Sequence, residues 1–170
     1  MSWLTDLAPR KAMLAMAVGM AGLALSACGG REPSPEFSYT LLDGAKASSS
    51  GLRGKVVLVN FWATSCVSCV NEMPELVATH HKYSGRGLET LAVAMRHDAP
   101  ARVADFAQSR QLPFGVVIDN TGAIAKGFSD VRITPTTYLI DKRGAIVKRY
   151  VGEPDFEALR ALVERLLAEA

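Results

Sequence analysis

The chain has 170 residues, 49% of them hydrophobic and 21% charged, with 19 Lys and Arg against 17 Asp and Glu. That length holds one domain comfortably and two with difficulty, and the ordinary charged fraction argues against a disordered chain. A net charge of +2 supplies no basic field for nucleic acid, and three cysteines are too few for a disulfide-stapled miniprotein.

Arg10 and Lys11 precede an uncharged apolar run over residues 12–25. At roughly 14 residues the run is short of the roughly 20 that a helix needs to span a bilayer, and its flanks have the organisation of an export signal. It ends in Leu25-Ser26-Ala27-Cys28, which resembles the lipobox of bacterial lipoproteins. The resemblance implies a signal peptide over residues 1–27 and a lipid on Cys28. An uncleaved anchor, or an ordinary signal with a chance cysteine, are the other readings. With Cys28 lipidated, Cys66 and Cys69 are the only thiols of the mature chain. Residues 28–36, rich in Gly, Pro and polar side chains, read as the lipidated Cys and a flexible tether, and residues 37–170 as the domain. Anchoring on the outer face of a membrane implies an oxidising compartment, where thiols need an electron source to stay reduced.

Residues 37–42 alternate and run into the turn dipeptide Asp43-Gly44, with a return strand at 46–48, so an N-terminal hairpin is expected. Residues 55–62 form a β-branched apolar run of the kind buried on both faces of a sheet. A helix follows over 72–83, interrupted by Pro74, which predicts a kink. Strands are expected at 88–95 and 114–118, and helical segments at 101–110 and 123–128. Strands at 136–140 and 145–151 flank Asp141-Lys142-Arg143-Gly144 as a hairpin. A last helix runs from Pro154, in the first helical position, to Ala168, with an apolar stripe of Phe156, Leu159, Val163, Leu166 and Leu167. The order predicts an α/β fold, a mixed sheet covered by helices on both faces.

The chemistry lies in Trp62-Ala63-Thr64-Ser65-Cys66-Val67-Ser68-Cys69, which leaves the buried strand and enters a helix. A cysteine at a helix N-terminus meets unpaired N–H groups and the positive end of the dipole, and both favour thiolate. A second cysteine three residues on lies one turn away, within reach of a disulfide. The pair can cycle, Cys66 attacking a target disulfide and Cys69 resolving the mixed disulfide. The same pair also fits a structural disulfide, or half of a metal site that would want two more Cys or His ligands. His80, His81 and His97 read as surface residues, and Trp62 as core that flanks the site.

From about residue 37 to 168 the chain resembles the thioredoxin superfamily, and more closely its membrane-tethered, extracytoplasmic TlpA/ResA-like branch. Residues 55–69 look like the family's strand and W-A-x-x-C-x-x-C. Glu72-Met73-Pro74 looks like the Glu and helix Pro that follow it, and Ile133-Thr134-Pro135-Thr136 like the loop whose proline is cis and faces the disulfide. The resemblance implies a thioredoxin-like sheet with an N-terminal hairpin and one helix–strand insertion between the C-x-x-C helix and the cis-Pro loop. It implies a monomeric reductase of protein disulfides, often of apocytochrome c, fed by a membrane thiol transporter of the DsbD or CcdA type. No cofactor and no metal are called for. Trp62, Thr134 and Pro135 are then the residues expected at the substrate.

Departures narrow what carries over. Thioredoxin has a buried Asp where Asn60 stands and a Trp where Ser65 stands. Asn60 cannot take a proton, so Glu72, one turn beyond Cys69, is the replacement candidate as acid–base partner; a solvated helix residue is the plainer reading. A thiol peroxidase would place Thr-x-x-Cys behind an upstream Pro, whereas Thr64 gives Thr-x-Cys. A Cu(I)-binding module of the Sco type would use C-x-x-x-C.

Overall fold

The computed structural model describes residues 31–169; the export signal, its cleavage point and Cys28 lie outside the described residues. The N-terminal hairpin pairs β1 (Ser38–Thr40) with β2 (Lys46–Ser48), turning through Gly44 at φ 86°, a left-handed conformation that glycine adopts without strain. The main sheet comprises β3 (Val56–Trp62), β4 (Leu88–Ala94), β5 (Gly115–Ile118), β6 (Thr136–Ile140) and β7 (Ile146–Val151), in the order β5-β4-β3-β6-β7. β3 is parallel to β4 and antiparallel to β6. Its seven residues are all buried, as a central strand covered on both faces requires.

Alternation along β3 sorts the core. Val57, Val59 and Phe61 pack with Leu91, Val93, Phe128 and Tyr138 on one face, under the short α3 (Ala123–Gly127) and the hairpin's Phe37 and Tyr39. Val56, Leu58 and Trp62 face the other way. There they meet α1 (Val67–Tyr83), α2 (Pro100–Ser109) and α4 (Phe156–Ala168) through Cys69, Met73, Val103, Leu159 and Val163. Each of these fully buried aliphatic side chains contributes about 2 kcal/mol of transfer free energy. Asn60 shares this second face, where an apolar residue would be expected, and is completely buried.

Four local expectations are corrected. α1 starts at Val67 rather than Glu72 and continues through Pro74 as one helix. α4 starts at Phe156, because Asp155 caps it by accepting from the Glu157 and Ala158 N–H groups; Pro154 precedes the cap. His80 is buried, its Nδ1 3.2 Å from the Thr90 hydroxyl and its ring against Phe114, since its position on α1 turns it toward β4. His81 and His97 are exposed. Residues 31–36 are docked, not a free tether. The Ile146 N–H donates to Glu32 O at 2.7 Å, the Ser34 N–H to Gly144 O at 2.9 Å, and Pro33 bridges Ala145. The Arg31 guanidinium pairs at 2.9 Å with the buried Asp141. Pro33 and Pro35 suit such an edge, where fixed extended backbone is favoured and a missing N–H costs nothing.

Candidate active site

Cys66 is the N-cap of α1, with extended backbone, and its Sγ accepts the Cys69 N–H at 3.3 Å. The sulfur thus occupies the place of a capping oxygen, facing the unpaired amides of the first turn. Cys66 and Cys69 form a disulfide with Cα atoms 5.2 Å apart. The pair is asymmetric: Cys69 is fully buried, while Cys66 is partly exposed and has the Ser68 hydroxyl 3.5 Å from Sγ. An incoming sulfur therefore has access to Cys66.

The loop ahead of Cys66 is held from a distant element. The carboxylate of Asp98, buried in the turn after β4, accepts the Thr64 N–H at 2.5 Å and the Thr64 hydroxyl at 2.6 Å. Met95 N–H donates to Trp62 O at 2.9 Å in the same place, so the two parallel strands stay tied just where they stop pairing. Sequence reading missed this contact. Asp98 stands before Ala99-Pro100, and nothing local points it at a residue 34 positions away.

Glu72 is completely buried on α1, one turn beyond Cys69. Its Oε1 accepts from Asn60 Nδ2 at 2.7 Å, and Asn60 Nδ2 also donates to Thr137 Oγ1 at 2.9 Å. Glu72 Oε2, Asn60 Oδ1 and Trp62 Nε1 are buried and make no hydrogen bond to the protein. Burial pushes the Glu72 carboxyl up to about 7; the Asn60 hydrogen bond opposes that rise, and the Glu153 charge adds to it. A desolvated carboxyl near neutrality is suited to taking and returning a proton.

The Thr134–Pro135 bond is cis. Phe61 pairs with Thr136, so this loop lies beside the end of β3 from which the dithiol loop departs. Pro135 is buried and its carbonyl accepts the Gly152 N–H at 2.8 Å; Thr134 is half-buried. Trp62 is 0% exposed and packs on Phe106 with ring centroids 5.1 Å apart. Its indole is therefore core, and the expectation that it meets a substrate is corrected. Exposed apolar side chains at this end include Val67, beside Cys66, Ile133, and Val151, which pairs with Thr136, at 75%, 60% and 54% exposure.

A half-exposed dithiol capping the first helix of a five-stranded mixed sheet defines the class: a thioredoxin-like protein built for thiol–disulfide exchange. The family follows from comparison. The model of the AhpC/TSA family matches residues 31–149, and the chain belongs to that family. A thiol-disulfide oxidoreductase ResA of Bacillus cereus is 35% identical over 132 residues, 78% of this chain and 75% of the relative. The solution structure of a Neisseria meningitidis protein described as a thioredoxin superposes with a TM-score of 0.76 at 37% identity, covering 83% of this chain and 93% of that one. The exposed lipoprotein thioredoxin of Streptococcus pneumoniae superposes with a TM-score of 0.68 at 25% identity, covering 77% and 99%.

Proposed function

We propose that the protein is an extracytoplasmic, lipid-anchored reductase of protein disulfides, with Cys66 as nucleophile, Cys69 as resolving thiol and Glu72 as proton acceptor. In the reduced state the Cys66 thiolate attacks a partner disulfide, one partner sulfur leaves as thiolate, and a mixed disulfide forms. Cys69 then gives its proton to Glu72 and attacks Cys66 Sγ. The second partner thiol leaves, the Cys66–Cys69 disulfide closes, and two electrons have passed to the partner. The observation that carries this reading is the completely buried Glu72 one turn from the completely buried Cys69: a shielded thiol needs a nearby acceptor to become a nucleophile. The cis-proline loop supplies backbone for an extended partner segment at Thr134 and Pro135.

The anchor is supported by Leu25-Ser26-Ala27-Cys28 and by the likeness to a protein named a lipoprotein. No described helix is long and apolar enough to cross a membrane. In the oxidising compartment beyond the membrane the disulfide must be re-reduced. A membrane thiol transporter of the DsbD or CcdA type is the proposed donor, and apocytochrome c is the proposed partner.

Expression of the full chain with Cys69→Ala tests this. Partners trapped on Cys66 in the membrane fraction, released by dithiothreitol and identified by mass spectrometry, are expected to be extracytoplasmic proteins with paired cysteines, apocytochrome c among them. Trapping of cytosolic proteins alone would contradict the reading. Peroxide turnover that depends on Cys66 and outpaces disulfide reduction would make the protein a thiol peroxidase instead.

A further inference from the structure

Asn60 is a polar residue in the middle of the central strand, 0% exposed, on a face otherwise filled by Val56, Leu58 and Trp62. Burying an amide there costs stability that a Leu or Val would not, on the order of 1–3 kcal/mol if its groups go unpaired. Oδ1 is in fact unpaired. The amide's two donors are both used: one on Glu72 Oε1 at 2.7 Å, the other on Thr137 Oγ1 at 2.9 Å. The amide therefore joins three elements, β3, α1 and β6, and β6 is the strand that leaves the cis-proline loop.

We propose that Asn60 is a positioning residue for the dithiol reaction: it grips Glu72 by Oε1, so that the proton exchanged with Cys69 is carried on Oε2. This rests on the reading of Glu72 as proton acceptor and adds to it the device that orients the carboxyl. An N–H pointing at Oε1 makes that oxygen an acceptor in both protonation states. The carboxylic proton must then sit on Oε2, the oxygen with no protein partner. A turned amide would set Oδ1 against Glu72 Oε1, acceptor against acceptor, and the Thr137 hydroxyl accepts the second Nδ2 proton at 2.9 Å. The grip also steadies the anionic form, since a hydrogen bond to a carboxylate favours ionisation against burial. The charged side chain that acts on Glu72 from another element is Glu153, in the loop after β7, and it opposes ionisation; Cys69 faces it from its own helix.

The reaction of the reduced protein with Ellman's reagent reads both thiols in turn. The first release of thionitrobenzoate reports attack by Cys66, and the second reports resolution by Cys69. Asn60→Ala is expected to slow the second phase about 3- to 10-fold at pH 7. It is also expected to move that phase's acid limb to higher pH by about one unit, with the first phase within about twofold of wild type. Glu72→Gln slows the second phase by itself, and the double variant is no slower than Glu72→Gln alone, because the two side chains act as one unit. Should Asn60→Ala fail to fold, Thr137→Val frees the amide's other end and carries the same test with a smaller shift in the same direction.

If the effects of Asn60→Ala and Glu72→Gln multiply, or the first phase suffers as much as the second, Asn60 is ordinary core and the proposal is overturned. If Glu72→Gln leaves the second phase and its pH profile unchanged, the proton-acceptor reading itself falls and takes this proposal with it.

Discussion

Glu72 carries the largest consequence of any single side chain outside the cysteines. Its folded carboxyl holds a proton up to about pH 7, against an ordinary value of 4.5. Between those two values Glu72 binds more protons in the folded protein than in the unfolded chain, so its contribution to stability is fullest below pH 4.5 and is lost as pH rises through 7. The loss is on the order of 3 kcal/mol at most, from about 1.4 kcal/mol per pKa unit. Relative to Glu72→Gln, the denaturant midpoint of the oxidised wild type should decline as pH rises over that window. A difference between the two proteins that does not change with pH would mean that the carboxyl is ionised in place. Activity follows the same residue: Glu72→Gln should slow disulfide exchange about 10- to 100-fold at neutral pH with the fold intact.

His80 works in the opposite direction. Burial lowers its pKa below 6.5, although the Glu89 charge pulls it up. Its contribution is present above pH 6.5 and is lost as pH falls through the folded value, because the unfolded imidazole takes a proton that the buried one refuses. The denaturant midpoint of the wild type relative to that of His80→Gln should therefore fall as pH drops below 6.5; a difference that does not change with pH would place the loss elsewhere.

At the scale of elements, most boundaries were legible because the apolar periods are strong. The run at 55–62 emerges as β3, and the stripe Phe156, Leu159, Val163, Leu166 as the buried face of α4. Legibility failed wherever a partner distant in sequence decides. Residues 31–36 have loop composition, yet the unpaired edge of the β6–β7 hairpin captures them, and Arg31 meets an Asp141 that is only 3% exposed. A chain begun at Phe37 is expected to be about 1–3 kcal/mol less stable than one begun at Arg31, since a buried carboxylate loses its charged partner and an edge loses its bonds. Equal urea midpoints for the two chains would show that this docking adds nothing. The Asp98–Thr64 clasp was likewise invisible along the chain. Asp98→Ala removes both acceptors from the Thr64 N–H and hydroxyl, and is expected to cost about 1–3 kcal/mol. It should also raise amide hydrogen exchange in residues 63–66; unaltered exchange there would mean the loop is held by other contacts.

For the molecule as a whole, the candidate site was legible where its chemistry is local. The spacing of Cys66 and Cys69 at a strand-to-helix junction can be read from neighbours in sequence, whereas Glu72 and Pro135 were singled out by the family resemblance, Glu72 by itself reading as a solvated helix residue. Asn60 was legible only as a residue that could not be a base. Its bond to Glu72 spans 12 positions and its bond to Thr137 spans 77, and only the folded sheet brings these together. Trp62 read as core from its own position, and β3 does turn it inward onto Phe106; the substrate contact was what the resemblance implied, and burial removes it.

Exchange through this site requires a division of labour between the half-exposed Cys66 and the buried Cys69. The most direct measurement is reduction of insulin by the domain from Arg31 onward, with products resolved on non-reducing gels, for wild type, Cys66→Ser and Cys69→Ser. Wild type should turn over, Cys66→Ser should be inactive and form no adduct, and Cys69→Ser should accumulate a dithiothreitol-sensitive mixed disulfide through Cys66. Adduct formation by Cys66→Ser through Cys69, with none by Cys69→Ser, would contradict it.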